Sequence, residues 1–450
     1  VSGPVYGPVS VQPTMPGCPS LGEARRRAAA RAPPGGFMDV DVDNFEEALK
    51  AVQDALKDAA FVALDFEMTG INSDDWGREE NDLPEERYIK KREAAASYGI
   101  VTVGVCVFQP APACSGDPGD DAGYVARPFN FFVFPRPVNE PPACYLSPKL
   151  ALDADAMHFV RCSGGVDFGR WLSKGVPYLD RPSEEKLRAA LTARIQPPLS
   201  GPLESGPAGR DEHAARDAKA MEDGLADGFG PTCFQQLGGR PNRHLALLQA
   251  MRQRRRGDHV VLERRPGPLG GCRHPVVTMR NLGRGPGALA SWQEGEKKEI
   301  VRQLKEHVGF RQVWTALLKA GKPLILHNGL LDLLFAYHWL EAPLPGTLPE
   351  FEAVLRSTMA LGTQVFDTKW LAAYTDVGAN LGRPQRTSLE ALCGALDGLA
   401  PGRVPPVRFP EGFGRYAGAR PSYHEAAYDA FCTGRLFAYF CRAAGCDRRA

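Results

Sequence analysis

The sequence predicts an α/β fold, a mixed central sheet flanked by helices and interrupted by a poorly ordered insert. Three observations lead there. A helical stripe is followed by three strands in the first third of the chain. The periodicity then degrades between residues 196 and 290. It resumes as mainly helical sequence to the end, and strands followed by helices favour a sheet packed by helices over a sandwich.

The first helix is expected after Asn44, a short polar cap followed by Glu46 and Glu47, which suit exposed amide groups. Phe45, Leu49, Val52 and Leu56 repeat at helical spacing. Phe61–Leu64, Val101–Phe108 and Phe129–Phe134 read as strands. After the interruption, Ile300, Val301, Leu304, Val308 and Val313 mark a helical stripe. Pro323–Leu326 reads as a strand, Leu330–Leu340 as a buried helix, and a last helix is expected from about Glu425 to Arg442.

Composition limits the function classes. Of 450 residues, 43% are hydrophobic, enough for a sizeable core, and no apolar run approaches the roughly 20 residues that cross a bilayer. Lys plus Arg number 54 against 53 acids, which excludes a uniformly basic nucleic-acid coat and a long acidic tail. Gly (48) and Pro (39) are in excess, so long loops are expected. The 11 cysteines form no Cys-x-x-Cys pair and read as reduced, mostly buried thiols. Four units follow: a disordered extension (1–37), a first half-domain (38–195), an Arg/Gly/Pro-rich insert (196–290) and a second half-domain (291–446). The extension carries Arg25, Arg26, Arg27 and Arg31 against Glu23; it reads as an organellar transit peptide or as a segment preceding a start at Met38. Residues 240–280 hold ten Arg against Asp258 and Glu263. They read as a solvated loop or as a source of phosphate contacts.

Three segments place acids where apolar residues belong. In Phe61–Glu67, Asp65 and Glu67 stand two apart at the end of a strand, and period-2 geometry sends both carboxylates to one side. In Leu324–Phe335, Asp332 sits inside a strongly apolar helix, where an unpaired acid is costly; His327 and Asn328 end the preceding strand. In Ser422–Phe431, Asp429 adjoins the apolar face of the last helix, with His424 five residues earlier. Residues five apart on a helix diverge by about 140°, so His424 and Asp429 converge only if His424 lies before or at the first turn. Singly, each acid has an ordinary structural explanation. Together, four carboxylates and one His are the ligand set of a two-metal phosphodiester hydrolase.

The spacing D-x-E, D, H-x4-D resembles the DEDD exonucleases of the His-containing subgroup, which have an RNase H-like fold. The resemblance narrows to the poly(A)-specific ribonuclease (PARN) family through Pro84–Tyr88, Phe129–Pro135, Gly175–Tyr178, His327–Asp332, Pro343–Pro345, Phe366–Lys369 and His424–Asp429, which occur in family order. It implies a 3′-to-5′ exoribonuclease that shortens poly(A) tails to 5′-AMP. Asp65, Glu67, Asp332 and Asp429 would hold two Mg²⁺ ions, with Mn²⁺ able to substitute, and His424 would act as general base. Asn328, Lys369 and Phe131 would contact RNA. Partners implied are single-stranded poly(A) 3′ ends and a second copy in a homodimer; nuclear, cytoplasmic and mitochondrial members exist. Two departures are Phe66, where the family often has a small residue, and Ala427, where it usually has Gly. Arg240 and His244 match the spacing of the family's inserted nucleic-acid-binding domain, but Pro241 argues against that fold. Residue 450 leaves no room for the family's C-terminal RNA-recognition domain, so cap binding is not expected. Two other readings are a target-of-Egr-like deadenylase, which would process small nuclear RNA tails, and a silent poly(A)-binding scaffold. Retention of all four acids and His424 argues against the scaffold.

Overall fold

The computed structural model describes residues 38–71, 82–111, 123–140, 144–192, 216, 219, 232–236, 260–265, 276–281, 287–379, 381, 387–400, 402–418 and 421–445. The expected extension 1–37 and the Arg240–His244 pair lie outside them. In chain order the first half contains β1 (Asp39–Val40), α1 (Phe45–Lys57), β2 (Phe61–Met68), α2 (Pro84–Ser97), β3 (Ile100–Ala111) and β4 (Gly123–Phe132). A small hairpin, β5 (Val138–Glu140) and β6 (Cys144–Leu146), leads to α3 (Ala154–Cys162), α4 (Phe168–Lys174) and α5 (Arg181–Thr192). Within 196–290, where composition gave only brief strand signals, β7 (Thr232–Gln236), β8 (Val260–Arg265) and β9 (Val276–Asn281) form a separate antiparallel sheet with β9 in the middle.

The second half contains α6 (Ala288–Val308), α7 (Arg311–Lys319), β10 (Leu324–Leu326), α8 (Leu330–Leu340), α9 (Leu348–Thr358), β11 (Val365–Asp367), α10 (Thr368–Tyr374), α11 (Asp376–Ala379), α12 (Leu389–Asp397), β12 (Val407–Arg408) and α13 (Ala426–Ala443). The two halves complete one sheet, in the order β4-β3-β2-β10-β11, with β1 and β12 on the outer edge of β4. β3 is antiparallel to β2 and β4, whereas β2, β10 and β11 run parallel. This is the order and polarity of an RNase H-like sheet, as the resemblance to the DEDD exonucleases implies. Among the described residues no helix is long and apolar enough to cross a membrane.

Alternation along β2 explains which residues meet which layer. Phe61 packs edge-on against Phe437 of α13, with ring centroids 5.0 Å apart, so Phe61, Ala63, Asp65 and Glu67 face α13. Val62, Leu64, Phe66 and Met68 face the other layer and are buried. Phe66 therefore sits in the core away from the acids, which is why a large side chain is tolerated between them. On that second layer Phe131 of β4 lies between Phe45 of α1 and Phe310 at the start of α7 (6.5 and 5.2 Å between centroids).

Many of the family-like motifs are structural ties. The Tyr88 hydroxyl donates to the Pro345 carbonyl at 2.8 Å, and its ring stacks on Phe351. The Glu85 carboxylate accepts the Leu348 N–H, so α2 is bound to the start of α9. Tyr178 packs edge-on against Trp339 of α8.

β3 and α13 approach each other closely through glycine on both sides. A Cβ at Gly104 would stand 1.9 Å from the Ala426 carbonyl oxygen, and one at Gly434 would stand 2.1 Å from the Phe108 ring. Gly104 is the β3 partner of Asp65. The space that lets α13 down onto the acids thus comes from the strand, and the substitution of Ala427 for glycine leaves it intact. Gly104→Ala is expected to destabilise the protein by about 2–3 kcal/mol, because the clash is with backbone that cannot swing away. Gly394→Ala in α12, where the added methyl meets nothing within 4 Å, is expected to stabilise by about 0.5–1 kcal/mol. Urea unfolding of both variants measures the contrast.

Candidate active site

The site lies where β2 outruns its neighbour. β10 pairs with β2 only at Val62 and Ala63, so the backbone of β2 beyond Ala63 has no strand on that side. The carboxylate of Asp332, one turn into α8, takes the missing place: its Oδ1 accepts the Phe66 N–H at 3.0 Å. An acid inside an apolar helix is thereby tied to the backbone between Asp65 and Glu67. α8 can start there because Gly329 packs tightly on Leu326, where a Cβ would stand 2.3 Å from the leucine's own. Asn328 precedes it in the left-handed region, at φ 59°, a conformation Asn tolerates better than most residues.

The last segment closes over these acids. α13 begins at Ala426 with Glu425 as its cap, so His424 lies just outside the helix. There it adopts φ 71°, and its N–H donates to Asp429 Oδ2 at 2.8 Å. The five-residue separation is bridged as the sequence argument requires. Three contacts hold this strained residue. Beyond the Asp429 hydrogen bond, Gly164 lets the chain after α3 approach the His424 carbonyl, where a Cβ would stand 2.3 Å away. The Phe159 ring of α3 meets the imidazole edge-on, with centroids 4.5 Å apart. The start of α3 is fixed in turn to the end of β2, since the Asp153 N–H donates to the Thr69 carbonyl at 2.8 Å. The neighbouring acid Glu425 is turned elsewhere: it accepts from Arg415 and from the Tyr416 hydroxyl, both at 2.7 Å.

Glu67, His424 and Asp429 each offer a ligand atom within 4.8 Å of the others, a geometry that can hold a metal ion. Asp65 and Asp332 complete the cluster electrostatically. Burial first, and then Asp429, Glu67 and Asp332, push the Asp65 carboxyl well above its ordinary range. Burial, Asp429 and Asp332 do the same to Glu67. Asp332 and Asp429 are each pushed up to about 7, chiefly by burial, against the opposing effect of the amides they accept from. Burial pushes His424 the other way, below the usual histidine value, leaving a neutral imidazole near pH 7.

The donor set fits a hard divalent cation. Asp429 is only 7% exposed and its Oδ1 has no hydrogen-bond partner. An orphaned carboxylate oxygen among three further acids is costly for the chain alone and matches an oxygen-ligated ion.

Other residues expected at the site are placed differently from one another. Asn328 is exposed at the site's edge and Lys369 is half-buried in the first turn of α10. Phe131 is fully buried between Phe45, Phe129 and Phe310, so the expectation of an RNA contact there is corrected: its ring has no face open to a nucleotide. His327 hydrogen-bonds Thr368 at 2.9 Å, and burial lowers its pKa to about 4, consistent with a structural histidine. Sequence reasoning missed Gly104, Phe159 and Gly164, and it took Asp367 only as part of the Phe366–Lys369 motif, with no role of its own. None is chemically unusual, and only their contacts across the fold mark them.

A model of the CAF1 family of ribonucleases matches residues 40–437. The chain is 28% identical over 440 residues to a zebrafish (Danio rerio) poly(A)-specific ribonuclease PARN, covering 89% of this chain and 59% of that protein. It is 27% identical over 424 residues to the human (Homo sapiens) PARN, covering 89% and 61%. The alignments thus span about three-fifths of these relatives. Among solved structures, Schizosaccharomyces pombe Pop2p in a form with Mg²⁺ and Mn²⁺ bound aligns over 90% of this chain and 92% of that one, at 12% identity and a TM-score of 0.40.

The raised carboxylates have a consequence for stability. With folded pKa values of about 7 against an ordinary 3.8, Asp332 and Asp429 keep protons in the metal-free fold that the unfolded chain has lost. Their contribution is complete below about pH 4 and is lost as pH rises through 7, on the order of a few kcal/mol. Asp429→Asn is therefore expected to raise the melting temperature of metal-free protein at pH 8 by several degrees and to change little at pH 4. Mg²⁺ should raise wild type at pH 8 and leave the variant nearly unmoved. Calorimetry with and without chelator reads all four conditions; superimposable pH 8 curves would contradict the assignment.

Proposed function

Because the chain belongs to the CAF1 family of ribonucleases, we propose that it is a 3′-to-5′ exoribonuclease acting on single-stranded poly(A) ends and releasing 5′-AMP. The observation that carries this reading is the buried Asp429, with one oxygen orphaned, held beside Glu67 and His424 within reach of Asp65 and Asp332. The aligned relatives' names, poly(A)-specific ribonuclease, supply the substrate.

On this reading Asp65, Glu67, Asp332 and Asp429 hold two Mg²⁺ ions. Bound there, the ions would supply the positive charge that lets the four acids ionise together and would acidify water and polarise phosphoryl oxygens. His424 accepts the proton of the attacking water, for which a neutral imidazole is the competent form. Its ring is aimed by Phe159 and its backbone by Asp429 and Gly164. Asn328 and Lys369 contact the RNA backbone at the mouth of the site. The same reading includes a homodimer, which light scattering on the purified chain checks.

The direct experiment is incubation with Mg²⁺ and 5′-labelled oligo(A) RNA. A ladder shortening one nucleotide at a time from the 3′ end is expected; RNA bound but left intact would sink the reading. Asp65→Ala should lower the rate at least a thousandfold with RNA affinity largely kept. Phe159→Ala is expected to lower kcat about tenfold, with little effect on KM or on melting temperature, since the ring is 44% exposed. Phe159→Tyr, which keeps the edge contact, should restore most of the rate. A Phe159→Ala variant with wild-type kcat would remove the positioning role.

A further inference from the structure

Among the described residues the most exposed aromatic pair stands beside the candidate site. Trp370 is 56% exposed and Tyr374 75%, four residues apart and therefore on one face of α10. Their ring centroids are 5.9 Å apart, with planes inclined at 41°. Thr368 and Ala372 form the buried side of the same helix, so the aromatic face is turned to solvent. Nothing in the fold of α10 calls for a tryptophan there: the ring covers no core and has no special helix preference.

The start of α10 is anchored to the site by one carboxylate. Asp367, the last residue of β11, accepts the N–H groups of Lys369 and Trp370 with Oδ1 at 2.8 and 3.1 Å. Its Oδ2 accepts the Gly329 N–H at 2.9 Å. Asp367 thus pins the first turn of α10 to the loop that carries Asn328 and leads into α8 and Asp332. β2, β10 and β11 are parallel, so α10 starts on the same sheet edge at which Glu67 and the His327–Asn328 turn emerge, the edge where open α/β sheets place their ligands. Along the chain from Asp367 come Lys369, a cation, and then Trp370 and Tyr374, two exposed aromatic rings.

We propose that Trp370 and Tyr374 form a stacking platform for unpaired bases of a single-stranded RNA whose 3′ end occupies the carboxylate site. The inference rests on the exoribonuclease reading and assigns the binding of nucleotides upstream of the scissile one. Single-stranded RNA is the occupant the surface fits. Exposed aromatic rings take the faces of unpaired bases regardless of sequence, a duplex keeps those faces hidden, and Lys369 supplies a cation for the intervening phosphate. The platform lengthens the substrate the enzyme grips without touching the chemistry.

The test uses the full chain with Mg²⁺ and fluorescein-labelled, non-cleavable phosphorothioate oligo(A) of three and of twelve nucleotides, with affinity read by anisotropy. Trp370→Ala/Tyr374→Ala should weaken the twelve-mer about tenfold or more and leave the three-mer and the melting temperature unchanged. Trp370→Phe/Tyr374→Phe should recover most of the affinity. Equal twelve-mer affinities in wild type and the alanine variant overturn the platform, and so does an equal loss for both lengths. Loss of a wild-type dimer on light scattering with RNA affinity kept also overturns it, by making this face a protein interface. Cleavage of an ordinary twelve-mer by wild type is read alongside. Length-dependent binding without cleavage keeps the platform and removes the nuclease reading, whereas cleavage with unaffected variants removes the platform alone.

Discussion

Four carboxylates are held close together against their own repulsion and against the cost of burial, and much of the surrounding architecture follows from that. Each opposing contribution raises the acids' pKa values; what offsets them within the chain is backbone. The Phe66 amide supports Asp332 and the His424 amide supports Asp429. Neither amide neutralises a charge, so the cluster remains a strained arrangement that an external cation would relieve. A carboxylate cluster of this kind persists only if basic side chains are held in pairs elsewhere. Arg415, which reaches Glu425 beside His424, is engaged by Asp39 and Glu425.

The longer strands, β10 and the terminal helix are legible in the sequence because apolar residues mark them, as runs in the strands and α8 and as a helical stripe in α13. Leu324–Leu326, Leu330–Leu340 and Ala426–Ala443 stand within a residue or two of where those apolar runs and that stripe put them. α2 is not legible: Pro84–Ser97 is highly polar and buries only Tyr88, Ala94 and Ala95, so tertiary ties through Tyr88 and Glu85 rather than an apolar stripe hold it. β11 and β12 are too short to show a period, and they exist because β10 and β4 offer them an edge.

At the site the charged residues were legible for the same reason that they are costly. Asp65, Glu67, Asp332 and Asp429 interrupt apolar patterns, and an interruption is visible in one dimension. The residues that aim them interrupt nothing. Gly104 looks like any strand glycine until its missing side chain is seen to admit the Ala426 carbonyl. Phe159 looks like one apolar position of a short helix until its ring is found against His424. Phe131 shows the converse error: an aromatic in a strand is as compatible with a core as with a substrate channel, and only the neighbouring α1 and α7 decide in favour of the core.

The mismatch in strand length links these points. Had β10 continued for two more residues, its register would have set them opposite Asp65 and Phe66, in the position where Asp332 now reaches the Phe66 amide. Its stop after Leu326 is enforced by the left-handed Asn328 and by Gly329, whose contact with Leu326 leaves no room for a side chain. The same turn lets Asp367 hold Gly329 and the start of α10 at once. A single early strand ending thus frees the β2 backbone beside the acids, supplies the third of them and sets where α10 starts. The chemistry is therefore located by where β10 stops as much as by the acids themselves.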